Sequence, residues 1–247
     1  MKISIVFPAV NESAVIVSTL TNAVRDLEKL GYDYEILVVD NCSRDNTVEL
    51  VNQFAAKHPR VRVIVHSENL GYASSNLTGY KNAAGDVVAV VDSDGQHHLS
   101  DLPLFLEQLK GGMDAVFGWR KVRHDPAVRK LVSIGLSFSS QVLLKWPHHD
   151  INCGFRVVTS QVARSITTVK RVNYFGPELW VHCFRHGFQV GEVVARHSER
   201  AGGTSINAPW RLPLNMWKAF QYLLELRQDK MTEVPLPIKS STVSSAS

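Results

Sequence analysis

The sequence predicts a single α/β domain built on a mostly parallel central sheet flanked by helices. Three observations lead there. Short apolar, strand-like runs alternate with helical patterns four times in about the first 95 residues, the signature of strands joined by right-handed helical crossovers. Each of these runs gives way to polar residues, so a row of polar side chains is expected past the carboxyl ends of the strands, where sheets of this kind bind ligands. The chain has 247 residues, of which 45% are hydrophobic, enough to bury a core.

The elements follow in order. Lys2–Phe7 is a short apolar strand that Pro8 is expected to stop. A helical pattern runs from about Ala14 to Leu30 and ends at Gly31. Tyr34–Val39 is a buried strand closed by Asp40. Asn46 and Glu49 resemble a capping box for a helix reaching about Lys57. Val61–Val65 is the third strand. Asn69-Leu70-Gly71 signals a turn before a helix of small residues to about Ala84. The fourth strand, VVAVV from Val87, ends in Asp92-Ser93-Asp94-Gly95-Gln96. Beyond it, Leu102–Leu109 reads as helix, Ala115–Gly118 as strand, and Trp119–Lys130 as a basic loop. Leu131–Trp146 is an apolar, Ser-rich helix. Asp150–Val158 is a loop running into a strand, Pro177–His186 a helix, Gln189–His197 a strand and Leu212–Gln228 an amphipathic helix. The domain is expected to span residues 1–230, with 231–247 a disordered tail of low core content.

Charge and cysteines narrow the class. Against 27 Lys+Arg stand 23 Asp+Glu, a net charge of +4. This makes no case for nucleic acid and is compatible with phosphates or an anionic membrane surface. Cys42, Cys153 and Cys183 are odd in number and scattered, as expected of reduced thiols in the cytoplasm. Met1–Pro8 reads as a strand rather than a signal peptide. No apolar run reaches the roughly 18–20 residues of a membrane-spanning helix.

Glu12, Asp40, Asn69, Asp92 and Asp94 all fall just past strand ends. Two carboxylates at one strand end are a place for Mg²⁺ or Mn²⁺, hard cations that share their ligation with substrate phosphates. The same Asp-Ser-Asp-Gly is also ordinary turn chemistry. Arg120, Lys121, Arg123, Arg129 and Lys130 form either a solvated loop or a phosphate clamp.

Seven segments in order then carry a resemblance: FPAVNE, VVDNCSRDNT, NLGYASSNLTGYKNAAGD, VDSDGQ, DAVFGWR, NCGFR and RAGGTS. Together they resemble a family 2 glycosyltransferase of the GT-A fold, with a Rossmann-like sheet. Within that family they are most similar to dolichol- and polyprenyl-phosphate mannosyltransferases. The resemblance covers about Lys2 to Ser205. It implies inverting, metal-dependent transfer of mannose from GDP-mannose to a polyprenyl or dolichyl phosphate. The implied partners are a nucleotide-sugar donor, a lipid phosphate, and a membrane subunit or peripheral membrane contact.

The resemblance also assigns roles. Asp94 holds the metal, joined by Gln96 and by Asp92, which orients its water shell or the donor ribose. Pro8, Asn11, Glu12 and Asp40 cup the nucleoside, with Asn69 and Ser93 on the donor side. Arg120 and Arg129 clamp phosphates, and Arg200 closes over the diphosphate. An ionised phosphate acceptor needs no strong base, so catalysis would rest on positioning and charge neutralisation. The alternative is a soluble glycosyltransferase acting on a hydroxyl of a small molecule or peptide, with Glu178 as base. A non-catalytic nucleotide-sugar-binding protein is a third reading, opposed by the intact Asp92/Asp94 pair and Arg120.

Departures bear on the acceptor. Ser205 stands where the family commonly has lysine, removing a phosphate contact. His97-His98 replace prolines and are expected to face solvent. Trp119 replaces a small residue and lines or narrows the sugar pocket. His197 is a candidate extra metal-side group. The Gln-x-x-Arg-Trp motif of processive synthases is absent, which favours a single transfer.

Overall fold

Strand β1 (Lys2–Ala9) lies between β2 (Asp33–Asp40) and β4 (Val87–Val90), parallel to both. The computed structural model describes residues 1–121, 141, 148–169, 175–198, 221–222, 224–225 and 240–241. The remaining strands are β3 (Val61–His66), β5 (Ala115–Trp119), β6 (Arg156–Thr159), β7 (Val190–Val194) and β8 (Ser240–Ser241). Among the described residues they form one sheet in the order β7-β5-β6-β4-β1-β2-β3-β8. The first four strands are parallel, as the alternation with helices predicts. β6 inserts antiparallel between β4 and β5, and β7 runs parallel to β5. Two reversals bring β5 and β7 back into the direction of β4. The ends of β1, β2, β4, β5 and β7 and the start of β6 therefore share one rim.

The helices are α1 (Ile16–Leu30), α2 (Thr47–Ala55), α3 (Tyr72–Asn82), α4 (Leu102–Lys110), α5 (Ser160–Ser165) and α6 (Phe175–Arg185). Alternation along β1 sends Ile3, Ile5 and Phe7 to a core with α1 and α4, and Val6 to a second core with α3 and α6. Each fully buried Ile, Leu or Phe contributes about 1.5–3 kcal/mol. α1 buries Ile16, Thr19, Leu20, Ala23, Val24 and Leu27 at helical spacing and ends on Gly31 at φ 68°. α3 lies so close to β1 that a Cβ on Gly79 would sit 2.2 Å from a Val6 methyl.

Three local expectations change. Pro8 does not end β1, which pairs on through Ala9 with Asp40. The β4 partner of β1 has already stopped at Val90, opposite Val6, so no ladder bond is lost at the proline. Asn46 makes no side-chain cap to α2; the Asp45 carboxylate instead accepts the Thr47 N–H at 3.0 Å. α1 starts at Ile16 rather than Ala14, because the Glu12 carbonyl accepts the Val15 and Ile16 N–H groups. The helices expected at 131–146 and 212–228 lie outside the described residues, apart from 141, 221–222 and 224–225. So does the expected tail, apart from Ser240–Ser241, which pair with Val65 and His66.

Candidate active site

The loops after β1 and β2 are bonded to each other. Asn11 takes φ 53°, a left-handed value that Asn tolerates. Its side-chain oxygen accepts the Arg44 N–H at 2.7 Å, and its own N–H donates to the Ser43 hydroxyl at 2.8 Å. The Glu12 N–H donates to Thr47 Oγ1 at 2.9 Å. Asp40 is fully buried, and its carboxylate accepts the Ser43 N–H at 2.9 Å together with the Ser43 hydroxyl. Asn11, Glu12 and Asp40 are thus brought to one corner, where their hydrogen bonds shape the loops.

Asn69 belongs to a neighbouring cluster. Its side-chain oxygen accepts from Gly71 N–H at 3.0 Å and from Asn41 Nδ2 at 2.9 Å. Asn41 Oδ1 accepts the Leu70 N–H at 2.8 Å and lies 3.1 Å from His66 Nδ1. Burial pushes the His66 imidazole below its ordinary pKa, although Asp40 opposes this. Asn41 and His66 were not singled out from the sequence; a polar residue directly after a strand-end aspartate was the available signal for Asn41.

Beyond β4 the chain turns rather than staying extended. Ser93 is buried, and its hydroxyl points inward to the Pro8 carbonyl at 2.8 Å, while its own carbonyl accepts from Thr19 Oγ1 at 3.1 Å. Gly95 takes φ 76°, and Asp94 accepts the Gln96 N–H at 3.1 Å. Asp92 Oδ1 accepts the Tyr72 hydroxyl at 2.7 Å. Its other oxygen fills a slot over Gly154: a Cβ there would lie 1.8 Å from Asp92 Oδ2. The two carboxylates therefore diverge, Asp92 toward α3 and the segment before β6, Asp94 into its own turn.

Arg120, at the end of β5, is seated by Asp150. Its Nε and Nη2 donate to the two Asp150 oxygens at 2.7 and 2.9 Å. Burial works against the charged guanidinium, but the Asp150 bonds and charge outweigh it, so its proton is held above the usual range. The bidentate fork expected to grip phosphate is thus turned to Asp150. Trp119 stacks on His149 at 4.1 Å between ring centroids, and His149 Nδ1 lies 2.8 Å from Glu192.

The segment after β7 is held against the Gln96 turn. Ser198 N–H donates to the Gln96 carbonyl at 2.9 Å, and Gln96 Nε2 donates to the Ser198 carbonyl at 3.0 Å. His97 and His197 form an antiparallel bridge with their rings 5.2 Å apart. Arg196 adds bonds to Asp101 at 2.7 and 2.8 Å. The expectation that His97 and His98 face solvent is corrected. His98 Nε2 sits 2.7 Å from the Ser198 hydroxyl. His97 packs edge-on to Phe155, its Nδ1 is buried without a hydrogen-bond partner, and burial pushes it down to about 4. Pairing with a returning strand, invisible locally, buries it.

Glu178 lies in the first turn of α6 and accepts the Tyr222 hydroxyl at 2.9 Å. It lines a cavity of about 270 Å³ with Ser165, Thr167, Thr168, His182 and Arg185, and no residue of the Asp92 turn joins that lining. Arg129 and Arg200 lie outside the described residues. Among the described residues no group of three or more His, Cys, Asp and Glu side chains is assembled as a metal cage. The donors at the Gln96 turn nonetheless suit a cation that keeps few protein ligands: a carboxylate, an amide oxygen and an imidazole across the bridge match Mn²⁺ or Mg²⁺ sites completed by diphosphate and water.

Residues 4–167 match the family described as "Glycosyl transferase family 2". The chain belongs to glycosyl transferase family 2. Its sheet with flanking helices is the GT-A arrangement of that family, and it is a glycosyltransferase. Over 215 residues it is 29% identical to an undecaprenyl-phosphate 4-deoxy-4-formamido-L-arabinose transferase of Pseudomonas fluorescens (strain SBW25), covering 85% of this chain and 61% of that protein. The chain thus spans about three fifths of that relative's length. Glucosyl-3-phosphoglycerate synthase of Mycobacterium tuberculosis, solved with phosphoglyceric acid, superposes with a TM-score of 0.66 at 21% identity, over 92% of this chain and 79% of that one. The same enzyme with Mn²⁺, UDP-glucose and phosphoglyceric acid gives 0.65 at 19% identity, over 97% and 88%.

These findings correct two expectations. Transfer from GDP-mannose to a polyprenyl or dolichyl phosphate is overturned by solved family structures that superpose on over nine-tenths of the chain and hold UDP-glucose with a small phosphorylated acid. The expected peripheral membrane contact falls with it. No helix among the described residues is long and apolar enough to cross a membrane. The bias toward mannosyltransferases came from donor-side segments, which GT-A enzymes with different acceptors have in common.

Proposed function

We propose that this chain transfers a hexosyl group from a UDP-sugar to a hydroxyl of a small, phosphate-bearing acceptor, in the cytoplasm, with a divalent cation bound. The observation that carries this reading is the superposition of nearly the whole chain on a structure holding Mn²⁺, UDP-glucose and phosphoglyceric acid, joined to the Asp-Ser-Asp turn at the end of β4. The unpaired thiols of Cys42, Cys153 and Cys183 accord with a reducing compartment.

On this reading Asp94 would hold the cation, helped by Gln96 and His197, which the bridge to His97 sets across from the turn. When bound, the cation neutralises charge on the diphosphate leaving group. The chain's own residues do the rest. Asp92, fixed by Tyr72 and the Gly154 slot, orients the donor. Asn11, Glu12 and Asp40 shape the nucleoside corner, which Pro8 borders, while Asn69 and Ser93 fix the loops around it. Arg120, locked by Asp150, contributes positive potential beside the reacting centre, and Arg129 and Arg200 are candidates to grip phosphates. A hydroxyl acceptor needs a base. Glu178 is assigned that part: its helix begins beside Arg156, with a Cβ on Gly176 only 3.7 Å from Arg156 Nη2.

A thermal-shift screen of UDP-, GDP- and TDP-sugars with Mn²⁺ tests the donor, since a ligand at a hundredfold excess over its Kd stabilises the folded state by about 2.7 kcal/mol. A shift with UDP-glucose is expected. A shift confined to GDP-mannose would reject the donor. Turnover with Glu178→Gln tests the base, and wild-type rates would remove Glu178 from that role.

A further inference from the structure

Arg156 opens β6 at the rim and is 2% exposed. Its Nε and Nη1 are buried without a hydrogen-bond partner. The guanidinium carbon lies 5.8 Å from the ring centroids of both Tyr72 and Phe175. Tyr80, one turn beyond Asn76 on the same face of α3, has a buried hydroxyl that also lacks a partner and feels the Arg156 charge. A buried guanidinium that leaves donors unpaired costs stability, and replacing such a group by an apolar side chain of similar volume is often neutral or stabilising. Packing therefore does not account for an arginine here.

The surroundings suggest what does. Tyr72 is shared: its ring faces Arg156 and its hydroxyl donates to Asp92. Gly154, two residues before Arg156, supplies the slot for the Asp92 carboxylate. Arg156 and Asp92 attract each other through this unit. Arg156 is also held rigidly, because β6 pairs it with both Val90 and Phe117.

We propose that Arg156 is a positioning residue for the transfer, fixing the Asp92 carboxylate in the Gly154 slot through the Tyr72 ring and through its own positive charge. This rests on the reading of Asp92 as the donor-orienting carboxylate.

Arg156→Met, Arg156→Lys, Tyr72→Phe and Asp92→Asn are compared by thermal melting, by steady-state turnover well below the melting temperature, and by calorimetric binding of UDP in EDTA. Arg156→Met is expected to keep or raise Tm, to lower kcat/KM about 100-fold and to weaken metal-free UDP binding. Arg156→Lys, which keeps the charge, should recover part of the loss. In the Arg156→Met background Tyr72→Phe should cost little more, since members of one network are not additive. Wild-type turnover in Arg156→Met, or a lower Tm with unchanged turnover and UDP binding, would overturn the proposal. If Arg156→Met does not fold, strict additivity of Arg156→Lys with Tyr72→Phe would overturn it instead. The underlying reading fails separately: a fully active Asp92→Asn removes Asp92 from the site, whereas an inactive Asp92→Asn beside an active Arg156→Met removes only Arg156.

Discussion

Gly154→Ala puts one methyl group where the Asp92 carboxylate now lies. The added Cβ would stand 1.8 Å from Oδ2, 2.2 Å from Cγ and 2.7 Å from Oδ1 of Asp92. Ordinary contact begins near 3.4 Å, so the carboxylate must retreat by roughly 1.5 Å, since overpacking of this depth is relieved only by movement. That retreat breaks the 2.7 Å bond from Tyr72. Losing a hydrogen bond to a charged group costs about 1.5–3 kcal/mol, and the Tyr72 hydroxyl is left buried. In a domain of this size each kcal/mol lowers Tm by about 2–4 °C, so a fall of about 5–10 °C is expected. Misplacing an orienting group by about 1 Å costs on the order of 100-fold in rate. Thermal melting and initial-rate turnover with UDP-glucose measure both effects. Gly191→Ala, whose Cβ would meet the flexible Met113 side chain at 3.1 Å, is the control expected to lose little. Gly154→Ala combined with Asp92→Asn should be no slower than Asp92→Asn alone. A Gly154→Ala enzyme with native Tm and native rate would refute the slot.

Asp94→Asn should raise the Mn²⁺ concentration for half-maximal turnover by about tenfold or more, and EDTA should abolish turnover in the wild type; undiminished rates in EDTA would reject metal dependence. Asp150→Asn strands the buried Arg120 charge, and breaking a buried pair from one side costs about 3–5 kcal/mol. A Tm drop of about 10 °C follows, which Arg120→Met in the same background should partly reverse. The His182 imidazole is pushed down to about 4 by burial and by His186, with its Nε2 2.8 Å from Ser165 Oγ. Its neutral form is favoured on folding, so its stabilising effect is intact above the ordinary histidine range and is lost as pH falls from 6.5 toward 4. Discounted for its partial exposure, the effect is about 1 kcal/mol. Melting curves from pH 7 to 4 should show a shallower decline in His182→Asn; identical slopes would contradict the assignment.

What was legible in the sequence was whatever is encoded locally. Period and punctuation placed the four parallel strands within a residue or two, and the carboxylates past their ends were visible because an apolar run stops there. Partners supplied by distant segments could not be read this way. The Asp92 slot needs Gly154 from the far side of an antiparallel strand whose direction no local pattern states. Gln96 and His97 owe their setting to Ser198 and His197, a hundred residues on. Arg120 reads as a free phosphate fork until Asp150 is folded against it. Tyr72, Asn76 and Tyr80 recur at helical spacing on the buried face of α3, in a segment that looked featureless because its other residues are small. That small-residue composition lets α3 lie close to β1, and the closeness carries Tyr72 to Asp92. The donor side of the fold is thus a matter of strand ends, which a sequence displays. The acceptor side is built by β6, α6 and the segment after β7, whose meaning depends on which strand each returns to. An error about the acceptor, beside a correct account of the fold, is what this division produces.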